Sequence, residues 1–183
     1  DMHAPYLFDD AGRPDLTQKW ARWALAERFS TAVNGLDGND DGGTLSAWYV
    51  FSAMGLYPVA GTDRYWIGSP NVNKAVIDLG TGKTLTVKAE NQSAENIYVQ
   101  SVTLNGVRLT EPSIVHAQIA GGGTQLSDRH ALPHAIGRHV GATPAHHHFA
   151  TLHHQVLVGQ LFGKVVVLLH QHDGHGLAVG QHA

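Results

Sequence analysis

Apolar residues near the start of the chain recur at intervals of three and four, which is the period of an α-helix. This stripe consists of Leu16, Trp20, Trp23 and Ala24. Pro14 and Asp15 are typical of a helix N-terminus, and we expect the helix to end near Phe29 to Ser30. Tryptophans at helical spacing usually pack in a core, so the stripe predicts a buried helix face rather than sugar-stacking platforms.

A second helix is predicted a short distance further along the chain. It begins near Thr44 and continues to about Met54, where Gly55 and then Pro58 end it. Either Thr44 or Ser46 has the hydroxyl that is needed to cap its first turn.

From Tyr65 onward, apolar and polar residues alternate, which is the period of a β-strand. The predicted strands are 65–67, 75–79, 84–89, 97–99, 102–104 and 107–109. The glycine-containing segment 80–83 and the pair Asn105-Gly106 supply hairpin turns. Helices followed by a run of strands predict an α+β fold, in which an antiparallel β region packs against the helices.

A glycine-rich loop, residues 35–43, separates the two predicted helices. Asp37, Asp40 and Asp41 lie within it, with Asn39 among them. Carboxylates this close repel one another, and a chain tolerates that mainly where a cation, sugar hydroxyls or proton transfer uses them. The alternative is an ordinary solvated turn, because Asn, Asp and Gly are the commonest turn residues.

Residues 35–58 resemble the signature of glycoside hydrolase family 92. The matching words are Gly-Leu-x-Gly-Asn-Asp-Asp-x-Gly at 35–43 and Ser-Ala-Trp-Tyr-Val-Phe-Ser-Ala-Met-Gly-Leu-Tyr-Pro at 46–58. Further matching motifs occur in the family's order, one before this segment at 5–8 and two after it at 67–70 and 95–106. The resemblance implies that residues 1–60 are the last helices of a catalytic (α/α)6 barrel and that 61–124 belong to an antiparallel β-sandwich.

The family consists of calcium-dependent, inverting exo-α-mannosidases, so the resemblance also implies site residues. It makes Asp41 the general base, with Asp40 and Asn39 orienting it or touching the sugar. His3, next to a motif that helps line the pocket in relatives, is a candidate sugar contact, and a surface histidine is the alternative. The family's general acid is a Glu upstream of this region, so we expect the chain to be inactive alone.

The resemblance further implies the partners of the parent enzyme. The substrate would be terminal mannose of N-glycans or mannans, with an α-1,2 linkage, and the cofactor would be Ca²⁺, whose ligands in this chain the sequence does not identify. An N-terminal β-sandwich domain would accompany the barrel in a secreted or periplasmic protein. No targeting signal is visible in this chain.

Two other motifs compete for parts of the same sequence. Asp37-x-Asn39-x-Asp41-Gly42 matches the start of an EF-hand, but Trp48 stands where that loop needs its bidentate Glu. The segment 80–84 resembles the end of a phosphate-binding loop, but Ile77 replaces the required first glycine. We interpret the second segment as a hairpin turn.

The chain changes character after residue 124. Only His3 and His116 of the 14 histidines precede this point, and residues 125–183 are rich in His, Gly and Ala. We expect a disordered or poorly defined tail that is not native family sequence, such as a frame shift would produce. Its histidines, at 146–148, 153–154, 170, 172 and 175, could bind Zn²⁺ or Ni²⁺. The competing function is therefore a non-catalytic carbohydrate-binding β module with a metal-binding tail.

Composition excludes several other classes. A formal net charge of −3 gives no electrostatic reason to expect nucleic acid or an anionic membrane as partner. The aliphatic run 165–169 is far shorter than the roughly 20 residues needed to span a bilayer. Cysteine is absent, which excludes a disulfide framework.

Overall fold

The computed structural model describes residues 2–80 and 82–130, together with the backbone of residues 167–170 and 177–178. The fold is mixed α+β, with few helices and two sheets. After a 3₁₀ turn at Ala4–Tyr6, the helices are α1 (Leu7–Asp10), α2 (Pro14–Glu27), α3 (Thr44–Met54) and α4 (His116–Ile119). Within the described part of the chain, no helix is long and apolar enough to cross a membrane.

The strands form two sheets. Their bounds are β1 (Leu56–Pro58), β2 (Arg64–Ile67), β3 (Lys74–Asp78), β4 (Thr84–Glu90), β5 (Tyr98–Leu104), β6 (Val107–Arg108), β7 (Ser113–Val115), β8 (Gly123–His130), β9 (Val167–His170) and β10 (Leu177–Ala178). The smaller sheet has the order β1-β2-β7, and the larger one β10-β9-β3-β4-β8-β5-β6. The alternating segments predicted from the sequence are therefore strands, and 97–99 and 102–104 fall in the single strand β5.

The β5–β6 connection is a tight hairpin, as its sequence predicts. Asn105 and Gly106 both have positive φ values, 51° and 80°. This left-handed pair matches the twist of the strands it joins, and it is the conformation that Asn-Gly favours. The connection between β3 and β4 is closed by a bond from the Lys83 N–H to the Gly80 carbonyl, with an N to O distance of 3.0 Å.

The prediction of an antiparallel β region at 61–124 fails only where β4 pairs with the first residues of β8. The prediction of a poorly defined tail from residue 125 is wrong for 125–130, which continue strand β8. β8 runs antiparallel to β5 but parallel to β4, between which it lies. β8 comes after β7 and α4 rather than after a hairpin turn, so hairpin geometry does not fix its direction. Alternation of apolar and polar residues records the period of a strand but not its direction.

Two clusters of buried side chains form the core. The first lies mainly between strands and contains Met54, Leu56, Tyr65, Ile67, Val72, Ala75, Ile77, Leu85, Val87, Val99, Val102, Leu104, Ile114 and Ile119. The second joins the helices to β2 and contains Tyr6, Ala21, Leu25, Trp48, Ala53 and Trp66. Helix α3 contributes to both clusters and so connects the helical region to the sheets.

The prediction that Trp20 and Trp23 are core residues is wrong for this chain. The buried residues of α2 are Thr17, Gln18, Ala21 and Leu25, on the roughly opposite side of the helix. Trp20 is 40% exposed and Trp23 is 48% exposed. The face that packs in this chain combines the apolar Ala21 and Leu25 with the polar Thr17 and Gln18, and it is not the face with the two tryptophans.

Strand β8 departs from the usual pattern of burial in the opposite sense, because polar side chains occupy its buried positions. Its inward positions are Gln125, Ser127 and Arg129, and all three are fully buried. The Gln125 amide and the Ser127 hydroxyl have no hydrogen-bond partner among the described residues, and neither do Nε and Nη2 of Arg129. Nη1 of Arg129 donates to the Pro70 carbonyl. Buried polar groups without partners are costly, so the side chains of β8 do not suit its position.

Candidate functional site

The acidic loop enters α3 through an unusual run of left-handed backbone. Gly42 and Gly43 have φ values of 71° and 85°, which glycine adopts without steric cost. Asp41 has a φ of 38°, which is uncommon for a residue with a side chain and usually marks a functional or strained position. The loop therefore holds Asp41 in a fixed, atypical conformation just before the helix.

Asp40 is tied to the first turn of α3. One carboxylate oxygen accepts a hydrogen bond from the Ser46 N–H at 2.8 Å, and the other accepts one from the Ser46 hydroxyl at 2.7 Å. These bonds hold the pKa of Asp40 below its usual range. The predicted caps are therefore not the ones used: Gly43 stands at the N-cap position, and the Asp40 side chain satisfies the exposed N–H.

Asp37 is engaged at the other end of the loop. Nε of Arg28, just after α2, donates to its carboxylate at 2.6 Å, and the two side chains form an ion pair. Both are about half exposed, so the pair contributes on the order of 1 kcal/mol or less. Its role is to connect the end of α2 to the loop.

Asp41 and Asn39 are the polar side chains of the loop without a hydrogen-bond partner among the described residues. Both are exposed. Among the described residues, none forms a hydrogen bond with either side chain, whereas Asp37 and Asp40 are both occupied. A general base must reach a water molecule or a substrate proton, and Asp41 is the loop carboxylate that is free to do so. The roles of Asp41, Asp40 and Asn39 remain predictions.

A polar cleft of about 200 Å³ lies next to this loop. It is lined by Glu27, Arg28, Phe29, Ser30, Asn34, Gly35, Leu36 and Asp37. Charged and amide groups of this kind bind hydroxyl-rich ligands through hydrogen bonds. Glu27, the last residue of α2, is among the lining residues.

His3 belongs to a segment that is held against α3. Nε1 of Trp48 donates to the Met2 carbonyl at 2.7 Å, and the Tyr6 hydroxyl donates to Ser52 at 2.9 Å. Trp48 and Ser52 are one turn apart, so the segment lies along the helix that the acidic loop opens. His3 itself is exposed. Its contact with sugar remains a prediction.

Asp9 is a buried carboxyl group that the sequence analysis did not single out. Burial raises its pKa to about 8, the nearby Thr17 hydroxyl opposes that rise, and Asp10 adds to it slightly. Thr17 faces Asp9 without donating a hydrogen bond of normal geometry. The sequence signal that could have identified Asp9 is its position directly after the largely apolar motif at residues 5–8.

The described residues do not by themselves form a metal site. Among them, no group of three His, Asp or Glu side chains could hold a metal ion. The EF-hand alternative lacks its bidentate Glu, since Trp48 stands at that position, and its first carboxylate, Asp37, is paired with Arg28. The predicted metal-binding histidines of the tail lie outside the residues whose side chains are described.

Residues 1–127 match the glycosyl hydrolase family 92 catalytic domain. The match covers more than half of the 183 residues. The chain belongs to glycosyl hydrolase family 92.

Individual relatives support this assignment. An uncharacterised secreted glycosidase of Arthroderma benhamiae is 40% identical over 124 residues, which are 66% of this chain and 16% of that protein. A family 92 α-mannosidase of Bacteroides thetaiotaomicron, solved in complex with mannoimidazole, superimposes with a TM-score of 0.70 at 31% identity. The alignment covers 73% of this chain and 18% of that one.

An inverting family 92 mannosidase of the same bacterium gives a TM-score of 0.67 at 37% identity, over 72% of this chain and 18% of that one. The chain thus spans less than a quarter of the length of each of these relatives. The family match ends at residue 127, three residues before β8 does, so the predicted boundary at residue 124 is three residues too early and residues 128–183 lie outside the match.

Proposed function

We propose that this chain is a fragment of an inverting exo-α-mannosidase and that it contributes the general base, Asp41. The observation that carries the proposal is the state of the three loop carboxylates. Asp37 is paired with Arg28, Asp40 is bonded to Ser46, and only Asp41 in this loop has its carboxylate free. The inverting mannosidase among the structural relatives supports the reaction class.

In this mechanism, Asp41 takes a proton from a water molecule as that water attacks the anomeric carbon of mannose. A separate carboxylic acid protonates the departing glycosidic oxygen from the other face, at about 6.5–9.5 Å from the base. Asp40 is adjacent in sequence and bonded to Ser46, so we assign it to positioning and Asn39 to sugar contact, together with His3. The acid lies outside this chain, so the chain alone is inactive.

The remaining features of the proposal belong to the whole enzyme. Its catalytic part would be an (α/α)6 barrel whose last helices lie in residues 1–60, with 61–124 in an antiparallel β-sandwich and an N-terminal β-sandwich domain elsewhere. Residues 128–183, which follow the family match, would be a foreign tail. The enzyme would be secreted or periplasmic and would release α-1,2-linked mannose from N-glycans or mannans.

Ca²⁺ is the proposed cofactor, and it would coordinate sugar hydroxyls of the substrate. Among the described residues, no group of three His, Asp or Glu side chains is placed to hold the ion.

The base assignment can be tested in a complete enzyme. Residues 2–127 of this chain would replace the matching segment of the inverting Bacteroides mannosidase, and mannose release would be measured for Asp41→Asn, Asp40→Asn and Asp37→Asn. We expect Asp41→Asn to lower kcat by about 10²–10⁴-fold, because it removes general-base catalysis. Asp37→Asn is the matched control and should lower kcat less than tenfold. Near-normal turnover of Asp41→Asn in a folded enzyme would remove it from this role.

The competing function, a carbohydrate-binding β module, makes a different prediction. It requires the 183-residue chain alone to bind mannose in a Ca²⁺-dependent manner, and equilibrium dialysis would detect this. Our proposal expects no such binding without the rest of the enzyme.

A further inference from the structure

Two glycines separate the proposed base from the helix that follows it. Gly42 and Gly43 lie between Asp41 and Thr44, the first residue of α3. A Cβ atom built at either glycine would meet no described atom within 4 Å, so neighbouring side chains do not enclose this part of the loop. Because glycine has the least restricted backbone, the covalent chain alone couples Asp41 only loosely to α3.

The Thr44 side chain makes a second connection across these glycines. Its hydroxyl donates a hydrogen bond to the Asp41 carbonyl at 2.6 Å. Its backbone N–H donates to the Asp40 carbonyl at 2.7 Å. One residue at the start of α3 therefore holds the carbonyl groups of two successive loop residues.

The Thr44 hydroxyl does not act as a helix cap. A capping hydroxyl accepts a hydrogen bond from an N–H of the first turn, whereas this hydroxyl donates to a carbonyl of the loop. The Ser46 hydroxyl, in the same turn, is bonded to the Asp40 carboxylate. The two hydroxyls thus hold different loop residues, and that of Thr44 holds Asp41.

The backbone of Asp41 decides where its carboxylate can reach. Its φ of 38° is uncommon for a residue with a side chain and persists only where surrounding contacts hold it. A displacement of about 1 Å at a catalytic group can cost about 10²-fold in rate. We propose that Thr44 is a positioning residue, which keeps Asp41 within reach of the attacking water by holding the Asp41 carbonyl. This inference rests on the proposed role of Asp41 as general base.

The variant Thr44→Val tests the proposal in the mannosidase that carries residues 2–127 of this chain. Valine has nearly the shape of threonine but lacks the hydroxyl. We expect kcat for mannose release to fall about 10–100-fold while KM stays within about twofold, because a misplaced base slows the chemical step without weakening sugar binding. Thr44→Ser keeps the hydroxyl and should retain at least about a third of the original kcat. Unchanged kcat of Thr44→Val in a folded enzyme would overturn the proposal.

Thr62 provides a matched control because its side chain makes the same kind of bond elsewhere. Its hydroxyl donates to the Val59 carbonyl, also three residues earlier in the chain, at 2.9 Å. Thr62→Val should leave kcat within about twofold of the original value. Thermal denaturation followed by circular dichroism would check that each variant folds, and Thr44→Ala would replace a valine variant that does not. An equal fall in kcat for Thr62→Val and Thr44→Val would indicate a general loss of stability and would overturn the proposal.

A double variant distinguishes this inference from the proposed function. If Thr44 acts through Asp41, adding Thr44→Val to Asp41→Asn should lower kcat by less than about a further twofold, because the base is already lost. A further loss as large as that of Thr44→Val alone would overturn the positioning role and leave Asp41 as the base. Near-normal turnover of Asp41→Asn alone would overturn the proposed function and, with it, this inference. Full turnover of Thr44→Val beside an impaired Asp41→Asn would overturn this inference only.

Discussion

The outer face of α2 and the inner face of β8 depart from the usual arrangement of side chains in opposite senses. On α2, Trp20 and Trp23 are apolar and exposed, whereas on β8, Gln125 and Arg129 are polar and fully buried. The first departure concerns an exposed surface, which a further part of a longer enzyme could cover. The second concerns side chains that are already enclosed, which no added layer would change. The comparison distinguishes an exposed apolar surface from enclosed polar side chains that do not suit their position.

The largest effect is expected from replacing the polar side chains of β8. The triple variant Gln125→Val, Ser127→Val, Arg129→Leu should raise the free energy of unfolding by about 4–8 kcal/mol, because each unpaired buried group costs about 1–3 kcal/mol and a charge costs more. Urea denaturation would measure it. Thr124→Val, at an outward position of the same strand, is the control and should change stability by less than about 1 kcal/mol. No gain from the triple variant would mean that β8 suits its position.

A smaller, pH-dependent effect is expected from Asp9, whose carboxyl group is buried in the helical region. Its pKa is raised from 3.8 to about 8, so the folded chain binds this proton more tightly than the unfolded chain. Its stabilising contribution is therefore complete below about pH 4 and is lost as the pH rises towards 8. The loss should reach up to about 4 kcal/mol between pH 5 and pH 8, at about 1.4 kcal/mol per pKa unit.

Urea denaturation of Asp9→Asn at both pH values tests this, since the amide cannot ionise and the pH dependence should disappear. Asp10→Asn, at the exposed neighbouring position, should keep the pH dependence of the original chain. If Asp9→Asn keeps the same pH dependence, another group is responsible for it.

The smallest effect is expected from replacing Trp23, one of the two exposed tryptophans of α2. In the isolated chain, Trp23→Ala should change the free energy of unfolding by less than about 1 kcal/mol, because the residue makes few buried contacts. Trp48→Ala, which removes a buried ring stacked on Phe29, should cost about 3–5 kcal/mol. Thermal denaturation of the two variants measures the difference. Equal losses would show that the outer face of α2 is already packed in this chain.

Much of the local structure could be predicted from the sequence. The strands near 65–67, 84–89 and 102–104 follow from period-two alternation, and the Asn105 hairpin follows from turn chemistry. The acidic loop was recognisable because several carboxylates are clustered between glycines. Its sequence motif identified the family. The same reasoning missed Asp9, because burial of a lone carboxyl group depends on distant side chains.

The sequence by itself determined the periods of the elements, their order and the position of the acidic loop, because these depend on neighbouring residues. Only the tertiary structure decided which side of α2 is buried, because the more apolar side, with Trp20 and Trp23, is not the side that packs. It also decided the parallel direction of β8 and the engagement of Asp37 and Asp40, which leaves the Asp41 carboxylate free. These outcomes depend on contacts between residues far apart in the chain, which no local pattern records.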